Sequence, residues 1–326
     1  MDATIESFTD IDQQASRLVG YDQHYQQQGR GSFRGRFLTR YLPDDVSIFI
    51  EHCNLPLLQR GSVPHGVVTL QFLLSATSEC ILNGQRFSKE TVVLMPGGRD
   101  FDHVSCSHMR ICVVHLPSTV ISELIPAWRA ETIIVHDHRM SGHLRTLMNS
   151  RAWRGSDQVA ETKLTAELCT SAREFVLAHG PLLNHRYSNR AIYGKALALI
   201  DAHLDQPIRI PDLCSHLGVS RRTLENIFRA YLGHGPAKHI RLSRLNAVRR
   251  AIVSGLEAQH SVGDIASRVG IWHLGRLTED FHQLFGQRPG ELKRIVRDRV
   301  PSESCSGSAD PRSEAGWSKH DYRLED

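Results

Sequence analysis

The sequence has no apolar run approaching the ~20 residues that a membrane-spanning helix needs. Its longest, near Val67 to Ala76, is the size of a strand. The first residues, Met1-Asp-Ala-Thr-Ile-Glu, are acidic and lack the basic and apolar pattern of a secretion signal. No two cysteines form a Cys-x-x-Cys pair. The seven stand apart at 53, 80, 106, 112, 169, 214 and 305, which argues against a zinc ribbon or a disulfide framework and fits a reducing cytoplasm. No phosphate-binding loop, Ser–His–Asp arrangement or pair of catalytic carboxylates can be argued from spacing, so neither a catalytic residue nor a cofactor is expected. Histidine is plentiful, yet His136, His138 and His143 have no glutamate at metal-site spacing, and metal binding is not expected there either.

What is present is a charge asymmetry and a repeat. Of 326 residues, 39 are Lys or Arg and 35 Asp or Glu, a net charge of +4. Residues 190–299 alone hold 18 basic and 10 acidic side chains, while residues 1–189 and the tail from Val300 are net acidic. A basic excess on one segment is the footprint of phosphate contact. A solvated surface would account for charge alone equally well.

The repeat decides between them. Ile210–Arg229 and Val262–Phe281 carry one pattern twice. Leu213, Leu217, Gly218, Leu224 and Phe228 correspond to Ile265, Val269, Gly270, Leu277 and Phe281. The offset is 52 residues before the turn and 53 after it, so the second turn has one extra residue. Each copy reads as helix–turn–helix. Asp212 and Asp264 sit where a carboxylate suits the free amides of a helix start. Gly218 and Gly270 end that helix, because glycine takes the left-handed conformation cheaply. Ser220 caps the next helix, whose Leu224, Ile227, Phe228 and Tyr231 form one buried stripe. Between the copies, Pro236 to Ser254 reads as a single helix. At 1.5 Å per residue it spans roughly 28 Å. Equivalent major-groove faces recur about every 34 Å. A rigid spacer of this length would set two recognition helices into adjacent grooves.

The candidate DNA-contacting residues lie opposite the stripes: Ser220, Arg221, Arg222, Glu225, Asn226 and Arg229 in the first copy, His273, Arg276 and Glu279 in the second. Arginine donates two bonds to guanine and asparagine reads adenine. Contact with phosphate alone is the competing role for each. Glu225 either accepts from cytosine or orients Arg221 or Arg229. Gly275 reads nothing, so the first copy is expected to dominate sequence reading. Arg241, Arg244, Arg249 and Arg250 on the spacer reach phosphate or, more in keeping with their spacing, form a solvated face.

Residues 191–299 resemble the DNA-binding domain of the AraC/XylS family of bacterial transcription regulators. Gly286-Gln287-Arg288-Pro289-Gly290-Glu291-Leu292, following Phe281 and Phe285, resembles the family's closing signature. Gly235-Pro236 and Ile240-Arg241 resemble its counterpart after the first copy. The likeness covers about a third of the chain. It implies double-stranded promoter DNA as partner, RNA polymerase as a second one, and an N-terminal domain that senses a small-molecule effector, whose binding residues are unknown.

The sequence before this segment has the texture such a domain needs. Phe37 to Tyr41, Val46 to His52, Val67 to Leu74 and Ile111 to His115 are short strand-like runs, and Leu82-Asn83-Gly84-Gln85 is a hairpin signal. They suggest a small barrel or sandwich, which the family likeness narrows to a cupin-like β half-barrel. The turn pattern is loosely similar to the branch holding ethanolamine-utilisation regulators. Helices are expected over Ser118–Trp128, Ser141–Ala152 and Asp157–Ala178, the last with Val159, Leu164, Leu168 and Phe175 on one face. That face either pairs two subunits into a homodimer, as the family implies, or packs on its own β domain.

The predicted architecture is therefore α+β in two domains. A polar, Gln-rich lead-in (1–30) precedes an effector-sensing and dimerisation domain (31–185). An all-α tandem helix–turn–helix domain (191–299, with units at 211–232 and 262–285) follows a linker at 182–190. A flexible tail of disorder-like composition (301–326) ends the chain. The predicted function is a DNA-binding transcription regulator, an activator rather than a repressor, and not an enzyme. The rival class is a DNA-associated enzyme of the alkylation-repair type or a cupin-type metal enzyme. Cys106 and Cys112 do not resemble the cysteine cluster of the former.

Overall fold

The computed structural model describes residues 3–18, 20–124, 131–150, 153, 157–180, 188–255 and 257–299. The expected tail, positions 182–187 of the expected linker and the end of the helix expected over Ser118–Trp128 lie outside them. Of that helix, Ser118–Leu124 is a 3-10 turn.

The N-terminal region is built of two sheets. The larger joins seven strands in the order β1 (Thr4–Phe8), β3 (Gly35–Tyr41), β4 (Ser47–Cys53), β11 (Met109–Pro117), β6 (Val67–Ser75), β9 (Thr91–Pro96) and β12 (Ile133–His136). The smaller joins β2 (His24–Gln27), β5 (Leu57–Ser62), β10 (Asp100–Val104), β7 (Cys80–Leu82) and β8 (Gln85–Phe87). Both sheets are open, so the region is two stacked sheets and not a closed barrel. All pairings are antiparallel. Asn83 and Gly84 both have positive φ and turn the β7–β8 hairpin, as the Asn-Gly pair dictates.

Strand periodicity of two divides the core by face. On the outer face of the seven-stranded sheet, Leu38, Ile48, Ile50, Leu70, Phe72 and Val114 pack under two helices, α2 (His138–Asn149) and α3 (Gln158–His179). Leu164, Leu168 and Phe175 of α3 are buried there, so its apolar face is spent on the chain's own sheet. Val159, expected on that face, is instead 76% exposed.

Part of the core between the sheets comes from the N-terminal segment, and the expectation of a loose polar lead-in is wrong for its described residues. They form β1, α1 (Ile11–Ala15) and β2. Ile11, Gln14, Ala15 and Tyr25 are buried. Gln14 Nε2 and the Tyr25 hydroxyl each donate to Glu51 Oε1 at 2.7 Å, and Gln59 Nε2 donates to Glu51 Oε2 at 2.9 Å. Burial pushes the Glu51 carboxyl above its ordinary range, against the pull of these donors. A glutamine-rich composition looks disordered in sequence. Here one of its amides, that of Gln14, is a donor to the buried Glu51 carboxyl.

The C-terminal region is all helix: α4 (Ser188–Ala202), α5 (Ile210–Leu217), α6 (Arg221–Leu232), α7 (Pro236–Val253), α8 (Val262–Ser267), α9 (Leu274–Phe285) and α10 (Pro289–Arg299). Its two cores are separate. The first gathers Tyr193, Leu197, Leu213, Leu224, Phe228 and Ile240, and takes in Leu58 of β5 from the smaller sheet. The second gathers Leu245, Val248, Ile265, Leu277, Phe281 and Phe285. The helix α7 contributes to both, and a third side of it meets β2.

Candidate nucleic-acid interface

Each helix–turn–helix unit is set by its turn. Gly218 closes α5 with φ +65°, and Ser220 then caps α6, accepting from the Thr223 amide at 3.1 Å. In the second unit Ser261 and Asp264 form a reciprocal capping box on α8. Gly270 follows with φ +72°, and then come Ile271, Trp272 and His273 before α9 begins. This is where the extra residue sits. His273 occupies the cap position without a side-chain cap bond, so α9 starts with its free amides uncapped by that residue.

A side chain at Gly270 would meet the Arg244 guanidinium at 2.8 Å and the Leu204 carbonyl at 2.9 Å, whereas one at Gly218 would meet open space. Arg244 is held here by donating from Nε to the Leu204 carbonyl at 3.1 Å. Gly270 is thus the point at which the second turn rests on the end of α4.

The buried stripes fall as the spacing predicts. Leu224, Ile227, Phe228 and Tyr231 are buried, and so are Leu277, Phe281, Leu284 and Phe285. Arg221, Arg222, Asn226 and Arg229 are exposed on α6, and Glu225 is half-buried. Glu225 lies 3.5 Å from Arg229, so its carboxylate orients that guanidinium. Ser220 is exposed as well, with its hydroxyl committed to the cap. On the second unit His273, Arg276 and Glu279 are exposed, and Glu279 accepts from Gln283 at 3.3 Å.

Sequence reasoning missed three participants. Asp280, one turn beyond Arg276, lies 3.8 Å from it and also pairs with Arg241 of α7. It ties the exposed Arg276 head to the spacer helix. Trp272 and Leu274 are 55% and 50% exposed at the leading end of α9, two large apolar side chains on either side of His273. The one-residue change of offset at this turn was the available signal. A groove of about 380 Å³ opens between the two units here, lined by Ile208, Ile240, Ile271, Trp272, Arg276 and Asp280 among others.

Of the spacer arginines expected to form a solvated face, Arg241 is exposed, but three are engaged within the chain. Arg249 is buried and pairs with both Asp10 and Asp12 of the N-terminal segment, the latter at 2.7 Å. Arg241 pairs with Asp280, and Arg244 donates to the Leu204 and Gln206 carbonyls. Arg250 remains half-buried. These partners lie far away in sequence, which hid them from a reading by local spacing.

The two regions are clasped by polar bonds at α4, before and along α7, and at α9. Asn246 accepts from the Gln27 amide at 2.8 Å and donates to the Gln27 carbonyl at 3.1 Å, pairing with β2 as a neighbouring strand would. Gln27 Nε2 and the Gly31 amide both donate to the Leu284 carbonyl near the end of α9, at 2.6 and 3.0 Å. His234 meets Gln28 at 2.9 Å, and Arg60 bridges Asp102 and Asp201 at 3.1 Å each. His136 pairs with Glu90, and among the described residues no group of three His, Cys, Asp or Glu side chains could hold a metal ion. No helix among them is long and apolar enough to cross a membrane.

Residues 213–295 match the family described as a helix-turn-helix domain. Over 101 residues the chain is 32% identical to the "Probable thc operon regulatory protein" of Rhodococcus erythropolis, covering 31% of this chain and 30% of that one. Over 108 residues it is 27% identical to the "XylDLEGF operon transcriptional activator" of Pseudomonas putida, covering 33% and 34%. The chain thus spans about a third of the length of these relatives. In three dimensions it is similar to the AraC-like transcriptional activator CuxR, with a TM-score of 0.43 and 13% identity over 82% of this chain and 100% of that one.

Proposed function

We propose that this chain, which carries an AraC-type double helix–turn–helix, is a sequence-specific DNA-binding transcription regulator that activates in response to a small effector. The observation that carries the reading is the pair of exposed stripes on α6 and α9 joined by one helix. Arg222 and Asn226 read bases from the first helix, Arg221 and Arg229 hold phosphate, and Ser220 sets the helix start. Arg276 reads from the second, fixed by Asp280. His273 and Glu279 flank it, with Glu279 held back from phosphate by Gln283.

The 18 residues of α7 span about 27 Å, near the ~34 Å that separates equivalent faces of successive major grooves. The N-terminal region is the sensing part, a cupin-like arrangement opened into two sheets. An effector there acts by shifting the balance between clasped and released states of the second unit. Promoter-bound RNA polymerase is the partner that an activator requires.

Selection of binding sites from random duplex DNA tests this. A bipartite consensus, its halves about one helical turn apart, is expected. Recovery of no consensus would overturn the reading.

A further inference from the structure

A second feature lies on the outer face of the seven-stranded sheet, where the helical layer stops. The register places Ser7, Arg36, His52 and Arg110 directly opposite one another across β1, β3, β4 and β11. Three basic side chains therefore stand side by side in one cross-strand row. Two residues along, the next row on the same face is Ile5, Leu38, Ile50 and Cys112. The rows are separated by about 7 Å of strand.

Leu38 and Ile50 are buried, while Ile5, on the edge strand, is left 48% exposed. Over both rows lies a groove of about 790 Å³, to which Arg34 and His108 add two further bases. The His52 and His108 rings are 6.3 Å apart. Crowding by burial and by Arg110, His108 and Arg36 holds His52 down at about 4.

We propose that this groove binds an organic anion, a carboxylate with an apolar body. The Arg36–His52–Arg110 row receives the charge and the Ile5–Leu38–Ile50 row receives the body. Arginine forks match a carboxylate's two oxygens. The apolar row a few ångströms away rewards a ligand longer than the carboxylate itself.

Both ends of the groove lead to the clasps on the DNA-binding region. Beyond β1 come Asp10 and Asp12, which hold Arg249 of α7. Beyond Arg34, whose amide donates to Asn54 Oδ1 at 2.8 Å, Asn54 donates to the Ser32 carbonyl at 3.1 Å, beside the Gly31 bond to α9. The step from occupancy to altered DNA affinity rests on the regulator reading above; the binding does not.

Calorimetric titration of the full chain decides it, using hexanoate, cyclohexanecarboxylate, acetate and inorganic phosphate as probes. At least one of the two larger carboxylates is expected to bind at one site, about tenfold or more tighter than acetate or phosphate. Arg36→Gln and Arg110→Gln are each expected to weaken it by about tenfold. If either variant fails to fold, the wild-type His52 ring provides the readout. Its NMR titration midpoint is expected to rise when the carboxylate is present, because an anion beside it favours the charged ring.

Failure of both larger carboxylates to bind would overturn the proposal, as would equal binding of phosphate, or unchanged binding in both folded variants. Displacement of the bound carboxylate by random-sequence duplex DNA would overturn it too, making the row a phosphate-contact surface. None of these titrations needs a specific operator, so the site fails or stands separately from the regulator reading.

Discussion

The two helix–turn–helix units share a pattern but are held in different ways. The first is joined to the sheet region through apolar contact as well as polar bonds: Leu58 of β5 belongs to its core, Val104 packs against it, Arg60 pairs with Asp201 of α4 and His234 meets Gln28. The second has a core of its own and meets the N-terminal region through polar bonds, those of Leu284 with Gln27 and Gly31 and that of Arg249 with Asp10 and Asp12. Apolar burial is non-directional and tolerates small shifts, whereas hydrogen bonds and ion pairs break over a fraction of an ångström to an ångström. The difference makes the first unit the fixed one and the second the releasable one. Removing polar clasps should therefore affect the units unequally.

The largest effect is expected from Arg249→Ala. It removes the buried guanidinium that half-buried Asp10 and Asp12 share, at a cost of about 3 kcal/mol. Amide exchange should rise over α8 to α10 and stay low over α4 to α6. Equal deprotection of both units would break the comparison.

Acid should act in the opposite sense. His239 of α7 is fully buried against the first unit's core, near Phe228, and burial first, then His234 and Arg60, hold its ring at about 3. A histidine depressed when folded contributes stability above its unfolded value near 6.5, and loses it as pH falls toward 3. At pH 5 the expected loss is about 2 kcal/mol. In the second unit His273 and His282 are exposed. Exchange at pH 7 and pH 5 should therefore show the first unit, not the second, losing protection.

Glycine substitution sharpens the contrast at the turns. Gly218→Ala carries only the backbone cost, about 1 kcal/mol. Gly270→Ala adds the collision with Arg244 and Leu204, for a total of about 2–3 kcal/mol. Denaturant melts of the two variants compare them directly. The smallest pair concerns the caps. Ser220→Ala should cost about 1 kcal/mol, and His273→Ser, supplying the cap that α9 lacks, should gain about 0.5 kcal/mol. Denaturant melts should show the loss exceeding the gain, and no gain at all for His273→Ser would show that α9 does not lack a cap.

How much of this was legible follows the same physical divide. The units, their turns and the buried stripes could be read in sequence because they are local: a left-handed glycine, a capping serine and a helical period lie within one short window. Both recognition helices fall where the spacing put them. The extra residue of the second turn was visible as a broken offset, but its consequence, the exposed Trp272 and Leu274 and the uncapped α9, was not. The clasps were illegible. Gln14, Gln27 and Asp10 looked like a polar lead-in because nothing near them in sequence reveals Glu51, Leu284 or Arg249 as partners. The cross-strand basic row was likewise hidden, since Arg36, His52 and Arg110 become neighbours only through strand register.

The central claim is that two unequal units read two adjacent sites. Hydroxyl-radical footprinting of the full chain on a selected duplex, beside Arg222→Ala and Arg276→Ala, tests it most directly. The expected result is two protected patches on one face of the duplex, about one helical turn apart. Arg222→Ala should lose the patch of the first unit and most of the affinity, and Arg276→Ala should thin the second patch alone. A single patch, or one that both variants weaken in the same way, would contradict the account.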